Sequence, residues 1–130
     1  SNAYSFNPGD VDFGYAGFFV WPNFTIWIYP GETNLSVLQM NPKSEQRTIE
    51  FQDWFTLGGV LTPQLAEAAA YQKDVLQPED IAICESVQRG LKSKAYNQGR
   101  FIVDNGKTEL SEHAVHHFQR MVFEALKAKL

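Results

Sequence analysis

The sequence predicts an α+β domain, an antiparallel sheet followed by C-terminal helices on one of its faces. Three observations predict it. Short aromatic and β-branched runs, broken by Gly, Pro and Asn, fill residues 15–55. Helix formers with 3.6-residue periodicity fill most of residues 62–127. The connections between the first runs are too short for crossover helices, which favours an antiparallel meander. A hydrophobic content of 44% and an aromatic content of 14% over 130 residues suit one domain with a core. Ser1-Asn2-Ala3 reads as the remnant of a tag cleavage, leaving 4–130 as a single domain.

Residues 4–14 read as an irregular lead-in that starts abruptly, like a piece of something longer. Phe18–Trp21 and Phe24–Tyr29 are the first two strands, with Pro22-Asn23 turning between them. Pro30-Gly31-Glu32 makes a tight turn into a third strand, Asn34–Asn41. Pro42-Lys43-Ser44-Glu45 turns into a fourth, Arg47–Phe55, carrying Ile49, Phe51 and Trp54. Such a sheet has an open edge that another segment or a second chain would cover. After Gly58-Gly59, Thr62-Pro63 is an N-cap and first-turn pair for a helix over Leu65–Lys73. Pro78 suits the first turn of a new helix, with Gln77 as its N-cap, that ends near Gly90–Ser93. Residues 94–110 form a polar loop with an extended piece at Arg100–Val103 and a turn at Asp104-Asn105-Gly106. Ser111 then caps a last helix to about Lys127, with Val115, Phe118, Val122, Ala125 and Leu126 as its buried stripe.

Composition excludes several classes. A net charge of −4 without a basic patch argues against nucleic acid. No apolar run reaches the length of a membrane span. A single cysteine, Cys84, forms no intramolecular disulfide and suits the reducing cytoplasm. Asn23-Phe24-Thr25 and Asn34-Leu35-Ser36 match glycosylation sequons by chance.

The chemistry centres on the helix from Pro78 to Leu91. Ile83, Cys84, Val87 and Leu91 follow Asp80 at helical spacing, an apolar stripe with a carboxylate at its upper end. An ionised carboxylate facing a core needs a cation, a metal or several donors. Asp80 is therefore either a first-turn acid favoured by the helix dipole or an inward-facing metal ligand or general acid/base. Glu79 is the lesser candidate. His113 and His117 share a face at zinc-binding spacing, but on the side opposite Val115 and Phe118. With His116 they read as structural or incidental. Cys84, mid-helix on the buried face, reads as an inert thiol. Gly58-Gly59 and Gln98-Gly99-Arg100 match no phosphate-binding pattern. Trp21, Trp27 and Trp54 suit an apolar or cation-binding pocket, or simply the core.

One resemblance joins these pieces. Gln77-Pro78-Glu79-Asp80-Ile81 with Cys84-Glu85-Ser86-Val87-Gln88-Arg89-Gly90-Leu91 resembles the C-terminal catalytic domain of Rieske non-haem iron ring-hydroxylating oxygenase α-subunits. Tyr96-Asn97-Gln98-Gly99-Arg100, Ser111-Glu112 and Val115-His116-His117-Phe118 continue it, and Phe19-Val20-Trp21-Pro22-Asn23 resembles an upstream strand and turn, with Trp21 in place of the more usual Phe. The resemblance covers most of residues 15–126. It implies a helix-grip (Bet v 1/START-like) fold. It also implies that Asp80 is the carboxylate of a 2-His-1-carboxylate triad holding mononuclear Fe(II), with electrons arriving from a Rieske [2Fe–2S] cluster. The wording around Asp80 and Arg89 is most similar to the monooxygenases of choline, glycine betaine and carnitine, with the phenylpropionate-type ring dioxygenases as runner-up.

The departures are as specific. One cysteine cannot hold a Rieske cluster, no His-x4-His segment precedes the helix, and the histidines at 113–117 follow the carboxylate. The chain is thus expected to be the C-terminal portion of such a catalytic domain, or a degenerate relative, binding no cofactor tightly and inactive alone. Its implied partners are the missing N-terminal part of the α-subunit and a reductase or ferredoxin electron donor, with a homo-oligomer as a further option. Two other readings stand beside it: a non-catalytic helix-grip module for a small ligand, and a structural piece whose sheet edge drives self-association.

Overall fold

The computed structural model describes residues 15–106, 108 and 110–127. The lead-in expected at 4–14 lies outside the described residues, apart from which the chain divides into two compact units meeting at Leu91 and Lys92.

The first unit opens with an antiparallel meander. Strands β1 (Ala16–Val20), β2 (Phe24–Ile28), β3 (Asn34–Ser44) and β4 (Arg47–Thr56) lie in the order β1-β2-β3-β4. The meander is the one the turn residues predict. Only the third strand differs materially: it runs on through Pro42 to Ser44, with Pro42 opposite Thr48. A register shift between Pro42 and Ser44 accommodates the proline, which cannot donate to a regular ladder.

Register decides what each face carries. Gly17 pairs with Trp27, Trp27 with Ser36, and Ser36 with Trp54, so these four share one face. Phe18, Ile26, Val37 and Asp53 line the other. Asn34 locks the β2–β3 turn. Its side-chain oxygen accepts from the Tyr29 N–H at 3.1 Å, and its Nδ2 donates to the Tyr29 carbonyl at 2.9 Å and the Glu32 carbonyl at 2.7 Å.

Gly58 and Gly59 turn the chain out of β4, at φ 68° and 72°, a left-handed conformation costly for other residues. Helix α1 (Pro63–Tyr71) then begins as its cap predicts: the Thr62 hydroxyl accepts from the Leu65 N–H at 3.3 Å. The same hydroxyl donates to the Glu32 carboxylate at 2.6 Å, tying the helix start to the β2–β3 turn. Among the described residues, Leu65 and Ala68 of α1 and Tyr29 are the buried apolar side chains, with Asn34, Ser36 and Gln72 buried beside them.

The expected break before Pro78 is absent. One π-helical turn, Gln72–Leu76, carries the helix directly into α2 (Gln77–Gly90), and Gln77 has helical dihedrals and donates its N–H to the Gln72 carbonyl. Gln77 is therefore not an N-cap. Proline lacks an N–H and its ring crowds the preceding turn, and the wider π turn just upstream makes room for it.

The second unit holds an irregular stretch and α3 (His113–Lys127). Arg100–Val103 is not a strand. Instead Ile102 and Glu112 bond reciprocally: the Ile102 N–H donates to the Glu112 carboxylate at 2.7 Å, and the Glu112 N–H to the Ile102 carbonyl at 2.7 Å. Nor does Ser111 cap α3, because its hydroxyl accepts from the Asp104 N–H at 3.2 Å and the first helical bond runs from the His116 N–H to the Glu112 carbonyl. The stripe expected to be buried on α3 is not: Val115, Phe118, Ala125 and Leu126 are exposed and Val122 half-buried.

Candidate functional site

Asp80 stands four residues after the end of the π turn, and its side chain is exposed. The apolar stripe beneath it is exposed too, with Ile83 and Val87 each 56% accessible and Cys84 free. The sequence reading of this face as a buried core, with an inert thiol in it, is thereby corrected. Periodicity identifies the side that seeks burial, but no described residue of α2 is buried.

Two interactions nevertheless show which way α2 faces. At its beginning, Asp80 acts on Tyr15: partial burial, and secondly the Asp80 carboxylate, push the Tyr15 hydroxyl pKa above its ordinary value of 10.0. Towards its end, the Gln88 amide donates to the Glu45 carbonyl at the β3–β4 turn, 3.4 Å away. Asp80 and Gln88 are about 80° apart around the helix and about 12 Å apart along it, and Cys84 bisects them. The side of α2 bearing Asp80, Cys84 and Gln88 thus looks towards the strands, approached at both ends, with Cys84 exposed between them. The Asp80 carboxylate is solvated and lies in a helix continuous with the π turn, not at a free helix N-terminus.

Opposite Asp80 the sheet presents stacked rings. Tyr15 lies on Trp27, with centroids 5.3 Å apart and planes at 27°. It also meets Tyr29 at 5.6 Å and 59°, and Tyr29 stacks on Trp54 at 5.0 Å and 16°. The Trp27 indole N–H donates to the Thr25 hydroxyl at 2.7 Å, which lays the ring flat along the sheet. It lies over Gly17, where an added Cβ would fall 1.9 Å from the ring. Trp54 also lines a groove of about 430 Å³ with Phe55, Thr56, Gly59, Leu61 and Ala69. Trp21 is 42% exposed in the β1–β2 turn.

The other sequence candidates do not converge. Glu79 is exposed on α2, and Gln98, Gly99 and Arg100 lie in an exposed irregular stretch. His113, His116 and His117 are all exposed on α3, and His116 meets the Phe101 ring edge-on at 5.8 Å. Among the described residues no three His, Cys, Asp or Glu side chains come together as metal ligands. The side chains present therefore do not fit a whole iron site; Asp80 would supply one ligand of such a set. Sequence reasoning missed Tyr15 and Gly17. Only the pairing register, which sets Gly17 against Trp27, would have pointed to them.

The antiparallel meander and the helices that follow it define the class. This chain belongs to the family of ring-hydroxylating α-subunits, whose catalytic-domain model matches residues 2–128. The carnitine monooxygenase oxygenase subunit of Acinetobacter baumannii is 31% identical over 121 residues, covering 92% of this chain and 33% of that protein. The chloroplastic choline monooxygenase of Arabidopsis thaliana is 36% identical over 117 residues, covering 84% of this chain and 24% of that protein. The crystal structure of the quaternary ammonium Rieske monooxygenase CntA with an inhibitor matches at a TM-score of 0.78 and 32% identity, over 92% of this chain and 33% of that one. The α+β, helix-grip-like fold is thus that of a Rieske oxygenase catalytic domain. The chain spans about a third of the length of the carnitine monooxygenase subunits it matches. No described helix is long and apolar enough to cross a membrane.

Proposed function

We propose that this chain forms the C-terminal part of the catalytic domain of a Rieske-type oxygenase acting on a small quaternary ammonium compound, with Asp80 as the carboxylate ligand of its mononuclear iron. The observation that carries the reading is the placement of Asp80. It is a solvated carboxylate on the strand side of α2, just after a π turn, a distortion frequent at functional sites. In the intact site, two histidines from outside this chain would complete the facial triad, and the iron would supply dioxygen chemistry. A Rieske cluster on the upstream part and a reductase or ferredoxin would deliver electrons. This chain's own contribution is to hold one ligand and to wall the substrate space with aromatic rings.

The test is a chimera in which this chain replaces the matching third of the Acinetobacter baumannii carnitine monooxygenase oxygenase subunit. The chimera is expected to hold about one mononuclear iron per subunit, and the Asp80→Ala chimera to lose it while keeping its Rieske absorbance. Full iron occupancy after Asp80→Ala would refute the assignment. This chain alone is expected to retain no tightly held iron. A chain that binds a small ligand and gives an iron-free, folded chimera would instead support the non-catalytic module.

A further inference from the structure

The sheet ends in two unlike edges. Among the described residues β1 pairs only with β2 and β4 only with β3. The β1 edge is 5 residues long and stops just before Trp21-Pro22, too short to template another strand well. The β4 edge, Arg47–Thr56, is 10 residues long and contains neither proline nor lysine. Of the devices that blunt an edge strand it carries only the charges of Arg47, Glu50 and Asp53, since the register shift of this hairpin falls at Pro42–Ser44 on β3. Side chains alternate along β4, so Arg47, Ile49, Phe51, Asp53 and Phe55 share one face. Phe51 and Phe55 on that face are 54% and 53% exposed. A long bare ladder flanked by exposed rings is suited to receive an extended strand, through backbone bonds first and side chains second.

We propose that β4 pairs antiparallel with β4 of a second copy of this chain, about a two-fold axis at Phe51, so that two sheets join into one. The charges of β4 are what single out a second copy as the occupant. In such a pair each residue meets one on its own face, and the residue on the axis sets the register. An axis at Glu50 or Asp53 sets that acid directly against itself, which is destabilising. An axis at Gln52 leaves the two Asp53 diagonal to each other and Arg47 without a facing acid. An axis at Phe51 sets the two Phe51 rings together and Arg47 against Phe55, a cation beside a ring. It also brings Arg47 diagonal to Asp53 of the second copy, and does so twice by symmetry. The nearest like charges are then the two Glu50, which lie diagonally and each face Gln52. Two-fold closure consumes the long edge and leaves only the short β1 edges outward, so assembly stops at a dimer.

Sedimentation velocity of the purified chain over about a hundredfold range of concentration should show a monomer–dimer equilibrium and no larger species. Phe51→Lys, which sets two cations against each other on the axis, should weaken the dimer by at least about tenfold. Phe51 is exposed, so the circular dichroism spectrum of this variant should be unchanged. Phe18→Lys alters an exposed ring on the same face but on β1, and should leave the dimer as tight as wild type. The register has its own test in a Cys84→Ser background under mild oxidation. Phe51→Cys should form a disulfide-linked dimer, because directly opposed residues lie at the separation a disulfide spans. Phe55→Cys, about 26 Å from its own copy in this register, should not. A monomer at every concentration, open-ended association, or a dimer that survives Phe51→Lys would each overturn the proposal. So would equal weakening by Phe18→Lys, which would place the interface on the sheet face, or equal linkage through both cysteines. Neither iron nor substrate enters these measurements, so their outcome leaves the Asp80 assignment untouched.

Discussion

Replacing Gly17 with alanine tests the aromatic wall most directly. The new Cβ would fall 1.9, 2.3 and 2.8 Å from three carbons of the Trp27 ring, so the indole must move. Overpacking of this kind costs about 1–3 kcal/mol. If the indole swings away, it also loses its N–H bond to Thr25, about 0.5–1.5 kcal/mol, and its stacking on Tyr15, about 0.5–1.5 kcal/mol. Against this, alanine in a strand gains about 0.5–1 kcal/mol over glycine in backbone entropy. The net expectation is a loss of about 2–3 kcal/mol. Urea unfolding followed by far-ultraviolet circular dichroism measures it without relying on tryptophan emission. In a Trp27→Leu background the obstructing ring is gone, so the same Gly17→Ala change should be close to neutral or slightly stabilising. The double-mutant cycle should therefore give a coupling of about 2 kcal/mol. A neutral single mutant, or additive effects in the cycle, would refute the claim that Gly17 is a notch for the indole.

Three further outcomes are expected. Asn34→Ala should destabilise the chain by about 2–4 kcal/mol, because three backbone groups of the β2–β3 turn lose their partner at a buried position; a midpoint shift below that of a surface alanine control would contradict this. Cys84 should react fully with a maleimide under native conditions, at the rate of an unfolded control, since its thiol is exposed; protection released only by denaturant would restore the buried-stripe reading. The Tyr15 pKa is raised by folding, so the neutral form is favoured in the folded state. Its stabilising contribution is complete below the ordinary tyrosine value of 10.0 and is lost as pH climbs above it towards the folded pKa. Wild type should then lose stability between pH 9 and 11 more steeply than Tyr15→Phe, and parallel curves would exclude the linkage.

The sheet was legible because its signals are local. Turn residues at 22–23, 30–32 and 58–59 bracket the strands, and Thr62 caps α1 by a bond within one turn. The misreadings fall where the deciding partner is distant or the backbone is irregular. Pro78 carries the ordinary sign of a helix start, and no side chain announces the π turn that lets the helix pass through it. Ser111 has the composition of an N-cap, but Asp104 claims its hydroxyl across a loop. The aromatic wall was legible only as composition. Trp27 and Trp54 were visible as pocket or core, whereas Tyr15 and Gly17 acquire meaning only through register.

The stripes on α2 and α3 raise a different point. Apolar spacing reports the surface that gains from leaving water, and both helices have such a surface, yet Ile83, Val87, Val115 and Leu126 remain exposed. A carboxylate at the head of the α2 stripe would be costly had that face been sealed into a core. Left open to water, it bears no such cost. Tyr15 is exposed as well, at 61%. The carnitine monooxygenase subunit and the CntA structure that this chain matches are each about three times as long. Under the proposed function the acid that looks awkward on a core helix would belong to one wall of a cavity, with the apolar stripe of α2 facing the substrate space and Asp80 reaching the iron.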